Sequence, residues 1–339
     1  MSFYHNKVDY LAILSKYFFY YNLLTSVYIR KWGPEVDTKR RNRAMILLFT
    51  VISLRATSLL FATTGLSYMG PLTLNGYRFP LASIILLFIF RKDFKNVNRQ
   101  VVIHGSIIGF FFLLTMTTEL IGLKMTNSST TSFLENTAII FVPLADALLV
   151  RRVPRASAII SALVALAGVG FLTLKDGHIG LTFGEFMCIL SALAYTCAVV
   201  ATDRFSKRDD PFMLGIFQVA FIGASSYILA MVVEGPSFPT APKAWGVIIF
   251  LAIVCTCFGF TLQPVAQSKL SASISGLFCA FNPLVTAILG YTFLNERLGT
   301  TGMIGGILIL TSIVIPAVAP LIKSHSWLDK LVYDITRHP

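Results

Sequence analysis

The chain has 339 residues, of which 55% are hydrophobic and only 13% charged, and its formal net charge is +12. A soluble domain carries about a quarter charged residues, so a water-surrounded globular core is excluded and lipid is indicated as the solvent. The basic excess would suit nucleic acid only if it were gathered on one binding surface, and its distribution along the chain points elsewhere.

Residues 1–43 form an N-terminal extension carrying eight of the basic residues. Within it, residues 10–29 are rich in Tyr, Phe and Leu but are interrupted by Lys16. They suit an interfacial helix or loose extension, with an eleventh span as the alternative. No small-residue cleavage pattern of a signal peptide is present. Ten apolar segments follow, at residues 44–64, 71–90, 101–121, 127–150, 156–174, 182–202, 211–233, 244–264, 271–293 and 301–321. Each has about the 20 residues that a helix needs to cross roughly 30 Å of hydrocarbon. The expected fold is an all-α membrane protein of ten transmembrane helices, with residues 322–339 as a tail.

Twenty-two of the 28 Lys and Arg residues fall on one side of this ladder, and only Lys124, Lys175, Lys243 and Arg297 fall in the opposite loops. By the positive-inside rule both termini are cytoplasmic. Topology and attraction to anionic lipid account for the basicity, so no nucleic-acid partner is called for. The five cysteines (Cys188, Cys197, Cys255, Cys257, Cys279) all lie in apolar segments, as buried small hydrophobes do; neither a disulfide framework nor a metal pair is expected.

An internal repeat organises the segments. Segment four reads SSTTSFLENTAIIFVPLADALLV and segment nine SASISGLFCAFNPLVTAILGYTF; both open on small hydroxyl residues and place a proline near the middle, Pro143 and Pro283. Segments five and ten match as SALVALAGVG and GGILILTSIV. Copies offset by five crossings, an odd number, run in opposite directions. The expected architecture is therefore two inverted five-helix repeats, 44–174 and 182–321, with a substrate site near mid-membrane between them.

Ionisable side chains inside spans cost about 2.5 to 3.5 kcal/mol at a helix centre even on insertion scales, so each needs a reason. Arg55 lies near the middle of segment one. Arg78 in segment two and Glu135 in segment four share its slab of the membrane, while Glu119 is placed nearer the end of segment three. In a functional reading Arg55 or Arg78 holds an anionic group of the substrate, and Glu135, with Glu119, binds a cationic group or a coupling proton. In a structural one they form an ion pair or snorkel to a boundary. Glu185 and Asp146 lie within about a turn of a boundary, where interfacial water suffices. Asn136, Tyr195, Gln218, Gln263 and Asn282 are uncharged candidates for lining the site, with interhelical glue as the alternative. Asn282 precedes Pro283, whose missing N–H frees a carbonyl. Gln263 and Gln267 share a face if their helix continues past segment eight. Gly168, Gly170, Gly305 and Gly306 read as close helix contacts. The five histidines show no metal-ligand spacing, and no nucleophile motif or phosphate-cradling loop appears, so neither an enzyme nor a bound cofactor is expected.

Four stretches carry a family resemblance: GPLTLNGYRF, GLKMTNSSTTSFLENTAIIFVP, TDRFSKRDDPFMLGIFQ and LQPVAQSKLSASISGLFCAFNPLVTAILGYTFLNERL. Over about residues 44 to 321 the chain resembles an EamA-type member of the drug/metabolite transporter superfamily. The resemblance implies ten helices in two inverted repeats and an inner-membrane carrier without ATPase, often an exporter of amino acids, other metabolites or drugs. Two positions depart from the pattern: Leu54 and Arg55 stand where a Trp-Gly pair is common. Arg151 and Arg152 replace the acid that ends the fourth helix in many members, while Glu296 retains it in the second repeat. The expectation is a secondary transporter of small polar metabolites, with a lipid-linked sugar or polyisoprenoid flippase, or a non-transporting scaffold, as rivals.

Overall fold

The structure, a computed structural model, describes residues 38–149, 156–172, 174–175, 178–179, 181–270, 281–296 and 299–323. The expectations for residues 10–29, for Arg151 and Arg152, for Cys279 and for the side chain of Asp146 lie outside the described residues. Residues Ala44–Pro339 form one compact unit and Met1–Arg43 another; the following account concerns the first.

Helices occupy the described part of each apolar segment. They are α1 (Thr38–Leu66), α2 (Pro71–Ile89), α3 (Arg99–Met125), α4 (Ser128–Asn136), α5 (Ala138–Leu149), α6 (Ala156–Leu172), α7 (Phe183–Phe205), α8 (Pro211–Val233), α9 (Pro242–Phe250), α10 (Gly259–Gln267), α11 (Phe281–Phe293) and α12 (Thr300–Lys323). Among the described residues six stretches are long and apolar enough to cross a membrane by themselves: Arg43–Leu66, Pro71–Ile89, Arg99–Met125, Phe183–Phe205, Pro211–Val233 and Pro242–Gln267. Leu174–Lys175 and His178–Ile179 pair antiparallel in the connection between α6 and α7. This is an all-α, multi-pass membrane protein.

Two segments depart from the continuous helices expected of them. Segment four is interrupted at Thr137, between α4 and α5, where the Thr137 hydroxyl and N–H both donate to the Leu134 carbonyl in a tightened turn. In segment eight, Leu251–Phe258 is wound as a π-helix between α9 and α10. Departures of both kinds cluster where helices line a cavity.

Three segments pack against their counterparts in the other repeat: α2 lies against α8, α4 against α11, and α6 against α12. These are segments two and seven, four and nine, five and ten, so the contacts follow the pseudo-two-fold relation of the repeat. The central apolar core joins α2, α3, α7 and α8 through Phe79, Ile108, Phe112, Ala192, Leu214, Ile216 and Ile222. Between α6 and α12 the backbones touch: a Cβ on Gly168 would stand 2.9 Å from the Gly305 carbonyl oxygen and 2.8 Å from Ile309. Gly306 receives the ring of Phe133, but a Cβ on Gly170 would meet nothing within 4 Å.

At one end of the bundle two carboxylates tie the repeats together. Glu234, just beyond α8, accepts from Leu72 N (3.0 Å), Thr73 N (2.8 Å) and the Thr73 hydroxyl (2.6 Å) at the start of α2. Glu296, just beyond α11, accepts from Ser128 N (2.8 Å), Ser129 N (3.1 Å) and the Ser129 hydroxyl (2.8 Å) at the start of α4. Each satisfies the orphan donors of a helix N-terminus with a charge of the favoured sign. Glu296→Ala is expected to lower stability by about 1–2 kcal/mol, the cost of a lost cap. Glu296→Gln, which keeps an acceptor, should lose less. Thermal unfolding of the purified protein in detergent measures both, and equal stability of Glu296→Ala and wild type would show that the cap is dispensable.

Candidate functional site

Four ionisable residues from four helices arrive at one level. Glu135 lies seven residues into α4 and Arg78 seven into α2, Glu119 is six residues before the end of α3, and Arg55 is eleven before the end of α1. At 1.5 Å per residue they are about 9 to 16 Å from the same end of the bundle. Glu119, the nearest of the four to that end, lies at about the depth of Arg78 and Glu135.

Arg55 Nη2 donates to Glu135 Oε1 in an ion pair, and its guanidinium carbon sits 4.3 Å from the centroid of the Tyr195 ring on α7. The carboxyls of Glu119 and Glu135 lie within hydrogen-bonding reach of each other. Glu135 is 2% and Glu119 7% exposed, whereas Arg55 retains 18%. Arg78, 4% exposed, donates through Nε to Thr256 Oγ1 at 2.7 Å. Thr256 in turn donates to the Leu251 carbonyl five residues back, at 2.9 Å. The π-wound turn thus aims a hydroxyl at a buried guanidinium. Nothing in the sequence marks it, and Thr256 was not among the expected residues.

Two small clefts share Arg55 in their lining. Arg55, Glu135, Asn136, Tyr195, Gln263 and Asn282 line the first, together with Leu48, Val51 and Ile52 of α1. Arg55, Arg78 and Glu119 line the second, together with Ser58, Met116, Cys255 and Phe260. Gln263 Nε2 reaches the Tyr195 hydroxyl at 3.5 Å. Asn136 Nδ2 turns back to the Ser132 carbonyl at 2.7 Å. The helix of segment eight does continue to Gln267, and both glutamines are buried.

Gln218 lines neither cleft. Its Nε2 donates to the Phe260 carbonyl at 2.5 Å, and the reason lies in α10: Pro264 has no N–H, so the carbonyl four residues before it loses its helical partner. The amide of α8 supplies the missing donor, which makes Gln218 interhelical glue. Glu185, expected at interfacial water, is 2% exposed; its carboxylate closes a capping box with Thr182, accepting from its N–H and hydroxyl at 2.8 and 2.7 Å. His104, read as one of several scattered boundary histidines, holds Asp209 at 2.6 Å and stacks on Phe205 at 4.0 Å. Among the described residues no group of three or more His, Cys, Asp or Glu is arranged to hold a metal ion.

Inversely related helices converging on a shared polar interior are what a carrier built from a repeat requires. The sequence pattern of the EamA-like transporter family matches residues 42–174 and, a second time, residues 182–317. The chain belongs to the EamA-like transporter family. An uncharacterized transporter of Archaeoglobus fulgidus is 24% identical over 80% of this chain and 96% of its own length. The uncharacterized transporter YetK of Bacillus subtilis is 23% identical over 83% of this chain and 90% of its own. A solved crystal structure, 19% identical, superposes with a TM-score of 0.62 over 84% of this chain and 99% of that one, and shows the shared fold. For this EamA-like transporter, the two matches span the same two sets of helices that pack counterpart against counterpart. A membrane transporter is the function these relations establish.

Proposed function

We propose that this EamA-like transporter is a secondary carrier that exports a small polar metabolite, amino acids among the candidates, across the cell membrane with both termini in the cytoplasm. Residues 44–174 and 182–321 act as the two inverted repeats and alternate access around the paired clefts. Residues 1–43 and 322–339 remain cytoplasmic. The observation that carries the reading is the convergence of Arg55, Arg78, Glu119 and Glu135, from four helices, on two clefts that share Arg55. Each such group is expensive to desolvate, and oppositely charged groups beside a cleft repay that cost when they bind a polar solute. In this reading the arginines hold an anionic group of the solute. Glu135 and Glu119 hold a cationic group or a coupling proton, and Asn136, Tyr195, Gln263 and Asn282 supply uncharged hydrogen bonds.

The test is transport by the purified protein in liposomes, with a panel of amino acids and small metabolites, with and without a proton gradient. Uptake of at least one solute that responds to the gradient is expected. Glu135→Gln should abolish the response if the carboxylate relays the proton. Failure of every solute to move would overturn the carrier reading, and a full gradient response in Glu135→Gln would remove Glu135 from the relay.

A further inference from the structure

Glu234 and Glu296 tie the repeats with the same set of bonds, yet they fasten different things. Glu234 fastens α2 to α8, which touch at both ends and in the middle. A Cβ on Gly76 would stand 2.7 Å from the Ala230 Cβ, and one on Gly223 would stand 3.0 Å from the Phe79 carbonyl oxygen. At the far end the rings of Phe90 and Phe212 meet at 4.8 Å. Parting such a pair anywhere along it opens voids that close packing does not tolerate, so α2 and α8 form a rib.

Glu296 fastens α11 to α4, a helix of nine residues that stops at the Thr137 break. Every residue of α4 is buried. Ser128, Ser129, Thr130, Thr131 and Ser132 give it a run of hydroxyls, whose partners include Thr126 Oγ1, 2.9 Å from Thr131 Oγ1. A hydroxyl face parts cheaply, because a Ser or Thr that loses its partner can bond back to a carbonyl of its own helix. The turn after α11 aims the carboxylate: Asn295 takes φ 53°, a left-handed value that asparagine tolerates. Glu296 N–H then bonds to the Gly290 carbonyl at 3.1 Å. Gly290 leaves the room, since a Cβ there would stand 2.5 Å from Glu296 Oε2 and 3.0 Å from the Ser128 and Ser129 hydroxyls.

We infer that α4 is a gate, hinged at Thr137 and latched by Glu296, which on release swings from α11 and opens the first cleft to the face carrying the α3–α4 connection. This rests on the carrier reading above. α4 runs from Glu135 and Asn136 in that cleft to Ser128 at the end of the bundle, so it fills the path between them. At 1.5 Å per residue the lever is about 13 Å long. A tilt moves its Ser128 end most and Glu135, beside the hinge, least. The bond between Arg55 and Glu135 therefore persists while the gate opens.

The gate can be read without knowing the solute. Val51 lines the first cleft from α1, and Val51→Cys is made in a full chain whose five native cysteines are replaced by serine. An impermeant thiol reagent is applied to each face of sealed vesicles. Loss of a cap weakens the closed state, so Glu296→Ala should raise labelling from the α3–α4 face about tenfold. Gly290→Ala, which keeps the carboxylate but crowds it out of place, should do the same. Glu234→Ala removes as many bonds from the rib and should leave labelling unchanged. Thermal unfolding checks that all three variants are folded. Equal labelling of Glu234→Ala and Glu296→Ala would trace the effect to general loosening and overturn the gate, and so would no rise in folded Glu296→Ala and Gly290→Ala. With wild type labelled from the opposite face, the carrier reading survives either result. Labelling from neither face, in wild type and every variant, overturns both.

Discussion

Glu135→Ala is expected to abolish transport and to cost about 3–5 kcal/mol of stability, because it removes the carboxylate that Arg55 bonds in the interior. Breaking a buried pair from one side leaves an uncompensated charge, whereas replacing both partners by apolar residues is often close to neutral. Here Glu135 is 2% exposed and Arg55 18%, so the loss should fall toward the lower end of that range, since Arg55 retains some access to water. The same logic predicts that Arg55→Leu combined with Glu135→Leu recovers most of the stability lost by Glu135→Ala without recovering transport. Thermal unfolding of the single and double variants, together with uptake in liposomes, separates the two effects. If the double variant is as unstable as the single, the desolvation account of the pair is wrong. If it transports, the pair serves packing alone.

How far the sequence carried depended on whether a feature lives in spacing or in packing. Segment positions, the charge ladder and the repeat are properties of one-dimensional order, and the helices of the structure fall on them. The interior charges were legible because an ionisable residue among apolar ones has no local excuse. Their convergence was legible only in part: Glu119 lies close to a helix end in sequence, yet the packing of α3 brings it to Glu135. Gln218 shows a signal that was present and unread. Pro264 releases the carbonyl of Phe260 by simple counting along the helix, and a buried amide on a neighbouring helix is the natural donor for it. Glu234 and Glu296 are similar, since acids just past one helix serve the N-termini of another 162 and 168 residues away, and no local rule links them. Thr256 stands apart, because a single extra residue in a helical turn leaves no mark in composition or periodicity.

The crossing of α8 over α10 has little tolerance, and Gly215→Val tests it. A Cβ at Gly215 would stand 2.6 Å from the Thr261 Cα and 3.0 Å from the Phe260 and Thr261 carbonyl oxygens. The obstacle is backbone, which cannot rotate away as a side chain can, so α10 must move. Overpacking alone costs about 1–3 kcal/mol. The displacement also pulls Phe260 from Gln218, one turn along α8, and so leaves the carbonyl that Pro264 freed without its donor, a further 1–3 kcal/mol or so. Because α10 carries Gln263 into the first cleft, transport should fall along with stability. Gly170→Ala supplies the contrast: a Cβ there meets nothing within 4 Å, and alanine's better helix propensity should leave stability unchanged or raised by up to about 1 kcal/mol. Unfolding temperatures of the two variants decide the matter. A Gly215→Val protein as stable as wild type would mean that the two backbones do not touch, and the account of Gln218 as the partner of a proline-freed carbonyl would fall with it.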